Sequence, residues 1–254
     1  MGNFFRSVKP PVVGMVSAHT QREAIMQTVN SIYDGADAIG VQLCFLKEEY
    51  RGEDMLRELF SHAVERPIYV TSYHGHESRD YTVDQCAELL LRAQECGADL
   101  LDLPGHFWGV GTNGMTFDAE AVKRQSEFID DIHRRGGQVL MSCHHSEYLS
   151  EDEILRHAYA QAERGADVMK IVAKCTEEEH VFSHINTIHR IKKEIDKPLL
   201  FLTGGPRAYA ETLRLIGPSL GVCMYLTVAH HDVLSTPLQP KTRTTVRLRD
   251  TLFV

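Results

Sequence analysis

The chain has 254 residues, 43% of them hydrophobic, which is enough for one large core or a small pair of domains. A formal net charge of −8 with no dense basic run excludes nucleic acid as the expected main partner. No apolar stretch approaches the roughly 20 residues of a membrane span, and the N-terminus lacks the apolar core of a signal peptide.

Taken in chain order, apolar runs predict strands at 12–17, 38–43, 67–73, 99–103, 138–143, 168–173, 198–203 and 222–228. Helical patterns separate them, for instance 119–135 and 151–164; the second has Ser150 as N-cap and Glu153 at the third helical position, a capping box. A repeat punctuates the alternation. Gly35-Ala-Asp37, Gly97-Ala-Asp99 and Gly165-Ala-Asp167 each end a helical pattern and open a strand, with glycine at the helix C′ position. Pro67 and Pro198 open two further strands, where proline is tolerated at the first position. Parallel strands need helical crossovers, so the pattern predicts an α/β fold, a single (β/α)8 TIM barrel forming one domain over 1–254. The competing open doubly wound sheet lacks a GxGxxG after its first strand. Six cysteines (Cys44, Cys86, Cys96, Cys143, Cys175 and Cys223) form no CxxC pair and read as reduced thiols of a cytoplasmic protein.

Lys170 stands out within this pattern. It sits inside Asp167-Val-Met-Lys-Ile-Val-Ala173, otherwise a buried strand. Burial among apolar, β-branched residues favours the neutral amine, which can attack a carbonyl and form an imine. The alternative is a lysine reaching solvent or a structural carboxylate. In barrels of this class the active site lies at the C-terminal strand ends. The fifth strand ends in Met141-Ser-Cys-His144-His145, beside the strand of Lys170, so His144 becomes the candidate proton carrier. Asp102 ends the fourth strand, the third runs into Tyr73-His74-Gly-His76-Glu77, and the eighth into His230-His231-Asp232. Neighbouring histidines on a strand point to opposite faces, and no HExxH occurs, so no metal is expected. Thr203-Gly204-Gly205-Pro206-Arg207 reads either as an anion cradle or as a tight turn that needs glycine for its dihedrals.

These residues carry a family resemblance. Val139-Leu-Met-Ser-Cys-His144, followed by Gly165-Ala-Asp-Val-Met-Lys170-Ile-Val, resembles the core of the type I 3-dehydroquinate dehydratases, across nearly the whole chain. In that family the histidine ends the fifth strand and the imine-forming lysine lies on the sixth. Ser235-Thr-Pro-Leu-Gln239 resembles the family's Ser-Ala-Pro-Gly-Gln loop, which closes over the substrate, and Glu77 and Asp102 fall at acidic positions of the family. The family's Glu-x-Arg-x-Asp motif corresponds here to Gly40-Val-Gln42-Leu-Cys44, and the arginine ending its third strand to Tyr73. Its substrate-carboxylate arginine after the seventh strand is displaced, with Arg207 or Arg214 the nearest substitute. Glutamine and tyrosine cannot replace the charge of an arginine–carboxylate fork.

The resemblance implies a cofactor-free lyase of aromatic amino acid biosynthesis, the shikimate pathway. Lys170 forms the imine, His144 moves the protons, and Gln42, Tyr73, Glu77, Asp102, Arg207, Ser235 and Gln239 bind substrate. Glu77 and Asp102 equally suit buried structural acids. The expected partner is a small carbonyl compound, with neither nucleic acid nor membrane, and a homodimer is the one assembly kept open. A Schiff-base aldolase acting on a phosphorylated or keto-acid substrate, and a non-catalytic binding barrel, stay open as alternatives.

Overall fold

The aspartate of each Gly-Ala-Asp repeat ties two successive strands together at their N-terminal ends. The computed structural model describes residue 4 and residues 9–253, so most of the N-terminal segment read as lacking a signal peptide lies outside the described residues. The Asp37 N–H donates to the Val12 carbonyl at 2.8 Å, and its carboxylate accepts the Val12 N–H at 2.8 Å. Asp99 does the same for Ile68, and Asp167 for Val139. Each carboxylate satisfies a donor in the first two residues of a strand, a group that would otherwise need another partner. The preceding Gly35, Gly97 and Gly165 have φ of +93°, +115° and +101°, a region costly for any residue with a Cβ.

The strands are β1 (Val12–Val16), β2 (Ala38–Gln42), β3 (Ile68–Thr71), β4 (Leu100–Pro104), β5 (Gln138–His144), β6 (Val168–Lys174), β7 (Leu199–Gly204) and β8 (Tyr225–Thr227). Between and after them come α1 (Gln21–Tyr33), α2 (Glu53–Ser61), α3 (Val83–Glu95) and α4 (Ala119–Arg134). The remaining helices are α5 (Glu151–Glu163), α6 (Glu178–Glu194), α7 (Arg207–Ile216) and α8 (Thr242–Leu252). Eight parallel strands alternating with eight helices are the (β/α)8 TIM-barrel class.

Strand bounds differ from the sequence expectation by up to three residues. Pro67 and Pro198 sit just outside β3 and β7 because, lacking an N–H, they lend the ladder only a carbonyl, accepting from Ile39 and Met169 respectively. The capping box at Ser150 and Glu153 is formed, as are matching ones at Thr20/Glu23 and Thr82/Gln85.

The described chain divides into two compact units. The first runs to Asp102 and resumes at Tyr225. In it, β8, β1, β2, β3 and β4 pair in that order, all parallel. Its core is packed closely enough that Gly40 of β2 has no room for a Cβ, since the Met15 thioether and the Tyr69 ring already occupy the space. The second unit, Leu103–Met224, carries β5, β6 and β7 in parallel pairing with α4 to α7. Met141, Met169, Ile171 and Phe201 are fully buried there. No helix among the described residues is long and apolar enough to cross a membrane.

Candidate active site

Strand register decides which side chains can meet in the second unit. Ser142 of β5 lies opposite Lys170 of β6, and His144 opposite Val172. Side chains alternate across a sheet, so Lys170, Ser142 and His144 share one face, while Cys143 and His145 take the other. With strands about 4.8 Å apart and a rise of about 3.3 Å per residue, the Lys170 and His144 Cα atoms are about 8 Å apart, a span that a lysine stem helps bridge. Lys170 is 4% exposed, has Leu200 as its β7 partner, and gives its carbonyl to Gln161 Nε2 at 3.1 Å. His144 lies at the exposed strand end. The arrangement is a sheltered amine low on the strand with an imidazole two residues nearer the mouth.

The segment between β4 and α4 holds the end of β5. Gly105 donates to the Ser142 carbonyl at 2.7 Å, and Asn113 Oδ1 accepts from the Ser146 N–H and hydroxyl at 3.1 and 2.9 Å. Gly114, at φ +75°, presses so closely on the His144 backbone that a Cβ there would overlap its nitrogen. Arg164 anchors the segment from below, donating to the Thr116 carbonyl at 2.6 Å and to Gln125 Oε1 at 2.7 Å. Burial lowers the Arg164 pKa from its ordinary value, so these acceptors do much to hold the charge.

After β7, Gly205 has φ +142°, and a Cβ there would overlap the Cys175 carbonyl oxygen, so the tight-turn requirement accounts for this glycine. Arg207 is exposed and forks onto Glu211 at 2.8 and 3.2 Å; Arg214 is buried and donates to the Thr203 carbonyl at 2.8 Å. Burial lowers the Arg214 guanidinium to about 10.

In the first unit a second polar group gathers around Asp102. Tyr73 donates to Asp102 Oδ2 at 2.5 Å, and the Tyr69 hydroxyl donates to the same oxygen. Burial, and then the Asp102 charge, raise the Tyr69 phenol well above its ordinary value. Tyr69 was not singled out from the sequence, although its even spacing from Tyr73 put the two on one side of an extended run. Gln42 Nε2 donates to the Ser17 hydroxyl. Glu77 lies 3.5 Å from His19 Nδ1, and His76 stacks on Phe45 with ring centroids 3.7 Å apart.

Ser235 closes a small turn with Asp232, whose N–H donates to the Ser235 hydroxyl at 2.8 Å. Ser235 also lines a cavity of about 10 Å³ with Ser17, Gln27 and His230, room for about one water. Gln239 is buried, and its carbonyl accepts from His231 Nε2 at 2.8 Å.

One group escaped the sequence reading altogether. On the far face of β5, Cys143 and His145 meet His157 of α5. The signal was a Cys-x-His pair on one strand face, and the third member lies twelve residues on in the following helix.

The family model described as type I 3-dehydroquinase matches residues 15–248. No curated protein sequence matches the chain. Among solved structures, the chain is similar to the 3-dehydroquinate dehydratase from Geobacillus kaustophilus, with 16% identity, TM-score 0.83, and 97% of this chain and 92% of that one covered. It is also similar to the type I 3-dehydroquinate dehydratase from Clostridium difficile with covalently modified comenic acid, with 19% identity, TM-score 0.76 and coverage of 97% and 93%. The enzyme from Enterococcus faecalis is a third, with 16% identity, TM-score 0.74 and coverage of 96% and 94%. At these identities the structural likeness speaks for the fold.

Proposed function

The chain belongs to the type I 3-dehydroquinase family, and on that premise we propose that it is a carbon–oxygen lyase working through an imine on Lys170. Its substrate is a cyclic β-hydroxyketone of the 3-dehydroquinate type. The observation that carries the reading is the register of β5 and β6, which puts the buried Lys170 and the exposed His144 on one face; their match to the family's lysine and histidine rests on the resemblance.

The chemistry follows from those two groups. The free-base form of the Lys170 amine attacks the ketone carbon; the carbinolamine takes up a proton and loses water, giving a protonated imine that withdraws electrons, and that proton is released again at the final hydrolysis. His144 takes a proton from the adjacent carbon, leaving an enamine. The carbon–oxygen bond of the β-hydroxyl then breaks, and His144 returns its proton so that the group leaves as water. Water hydrolyses the imine, releasing the unsaturated ketone and restoring Lys170. The sheltered position of Lys170 favours the imine by limiting premature hydrolysis.

For Gln42, Tyr73, Glu77, Asp102, Arg207, Ser235 and Gln239 the proposed role is substrate recognition, on the resemblance. The bonds of Gln42 to Ser17 and of Tyr73 to Asp102 support an altered recognition set, since neither residue offers the positive charge of the family's arginines. We further propose that residues 1–254 act as one domain, because the family match runs unbroken from 15 to 248. The reading of the six cysteines as free thiols supports a cytoplasmic location, and a homodimer is the assembly to test by sedimentation. The direct test of the reaction is turnover of 3-dehydroquinate by the purified chain and by Lys170→Met. Weak activity in the wild type and none in the variant is expected; equal turnover would remove the imine from the mechanism.

A further inference from the structure

The face of β5 turned away from Lys170 gathers three metal-ligating side chains. Cys143 of β5 and His145, the first residue past its end, bring their side chains together, and His157 of α5 closes on them. Cys143 Sγ lies 3.4 Å from His145 Nε2, which lies 3.2 Å from His157 Nδ1, and the three atoms fall within 4.8 Å of one another. All three residues are buried, at 1%, 8% and 7% exposure. A tetrahedral Zn²⁺ with bonds of about 2.0 Å to nitrogen and about 2.3 Å to sulfur has N···N edges of about 3.3 Å and S···N edges of about 3.5 Å. The separations of His145 Nε2 from Cys143 Sγ and from His157 Nδ1 match these edges, and the third pair lies within 4.8 Å.

Hydrogen bonding serves this geometry less well. His145 Nε2 faces both the thiol and the His157 nitrogen, yet in either tautomer it offers a single proton or a single lone pair. A cation bonded to Sγ, Nε2 and Nδ1 engages all three atoms at once.

We propose that Cys143, His145 and His157 form a binding site for one Zn²⁺-class cation, held by a thiolate and two imidazoles, with an exogenous water completing the tetrahedron. The thiolate selects against Mg²⁺ and Ca²⁺, which prefer oxygen. Two of the ligands flank His144 in sequence, so the ion would pin the strand end that carries it to α5.

The test uses the full chain, stripped with a chelator and titrated with Co²⁺ as a spectroscopic stand-in for Zn²⁺. One equivalent should bind with a thiolate-to-cobalt charge-transfer absorption, and Zn²⁺ should displace it. Cys143→Ser should abolish that absorption, and His157→Gln should weaken Co²⁺ binding at least tenfold, with circular dichroism confirming the fold of each. Cys223→Ser, outside the cluster, should leave both unchanged. If Cys143→Ser does not fold, His157→Gln decides alone. A wild type with no charge-transfer absorption, or Co²⁺ binding unaltered in the folded variants, would overturn the proposal.

Discussion

Gly114→Ala should disable the candidate proton carrier without touching it. Gly114 has φ +75°, where an alanine costs about 1–2 kcal/mol. Its new Cβ would also lie closer than 3.0 Å to the His144 nitrogen, and 3.1 Å from both Cys143 Cα and the His144 carbonyl oxygen. These are backbone atoms of a strand paired residue by residue with β6, so no flexible side chain can yield. Restoring ordinary contact takes a displacement of about 1 Å, and an error of that size in a catalytic group costs up to about 100-fold in rate. The expected result is a kcat lowered about 10- to 100-fold and a Tm lowered by about 2–8 °C, from the strain alone. The assay pairs steady-state dehydration of 3-dehydroquinate, or of whichever hydroxyketone proves to be turned over, with thermal unfolding. Gly52→Ala is the control, since a Cβ there meets nothing within 4 Å. A Gly114→Ala protein with wild-type kcat and Tm would refute the claim that this contact sets the position of His144.

Four further outcomes follow from buried charge and recognition. Arg164→Ala removes a buried guanidinium from the Thr116 carbonyl and Gln125, and should cost about 3–5 kcal/mol, read as a lower urea midpoint; a loss under about 0.5 kcal/mol would contradict it. Burial lowers His145 to about 3 and His157 to about 4 from 6.5, so only the unfolded chain takes up these protons just below pH 6.5. For metal-free protein, stability should be full above about pH 6.5 and decline toward pH 4 by at most about 1.4 kcal/mol per unit per ring; an unchanged urea midpoint from pH 7 to 5 would count against it. Turnover of 3-dehydroquinate should be weak, because each lost charge-assisted contact costs about 2–3 kcal/mol, or one to two orders of magnitude. Arg207→Ala should lower the remaining kcat/KM about tenfold or more through KM, and no change would leave the arginine to its pairing with Glu211.

The architecture was legible because local chemistry repeats with the βα unit. Gly35, Gly97 and Gly165 take the positive φ their C′ positions require, and the aspartates two residues on each accept a backbone N–H at the start of a strand. The Lys170–His144 relation was legible too, since β5 and β6 are neighbours and alternation fixes the face. The surroundings of Asp102 were only half visible. Tyr73 was read as a lost arginine, whereas its hydroxyl joins that of Tyr69 on one carboxylate oxygen, a meeting set by β3–β4 register. Gly114 and the Cys143–His145–His157 group stayed hidden for a similar reason. Each depends on how a loop or helix folds back on β5, and no periodicity along the chain records that.

The central claim is that Lys170 forms an imine with the substrate. The most direct measurement is borohydride reduction in the presence of 3-dehydroquinate, and then of a panel of keto acids, followed by peptide mass analysis of wild type and Lys170→Met. The account predicts a stable adduct on the peptide carrying Lys170 in the wild type and none in the variant. An adduct on another lysine, or turnover of a substrate that borohydride never traps, would contradict it.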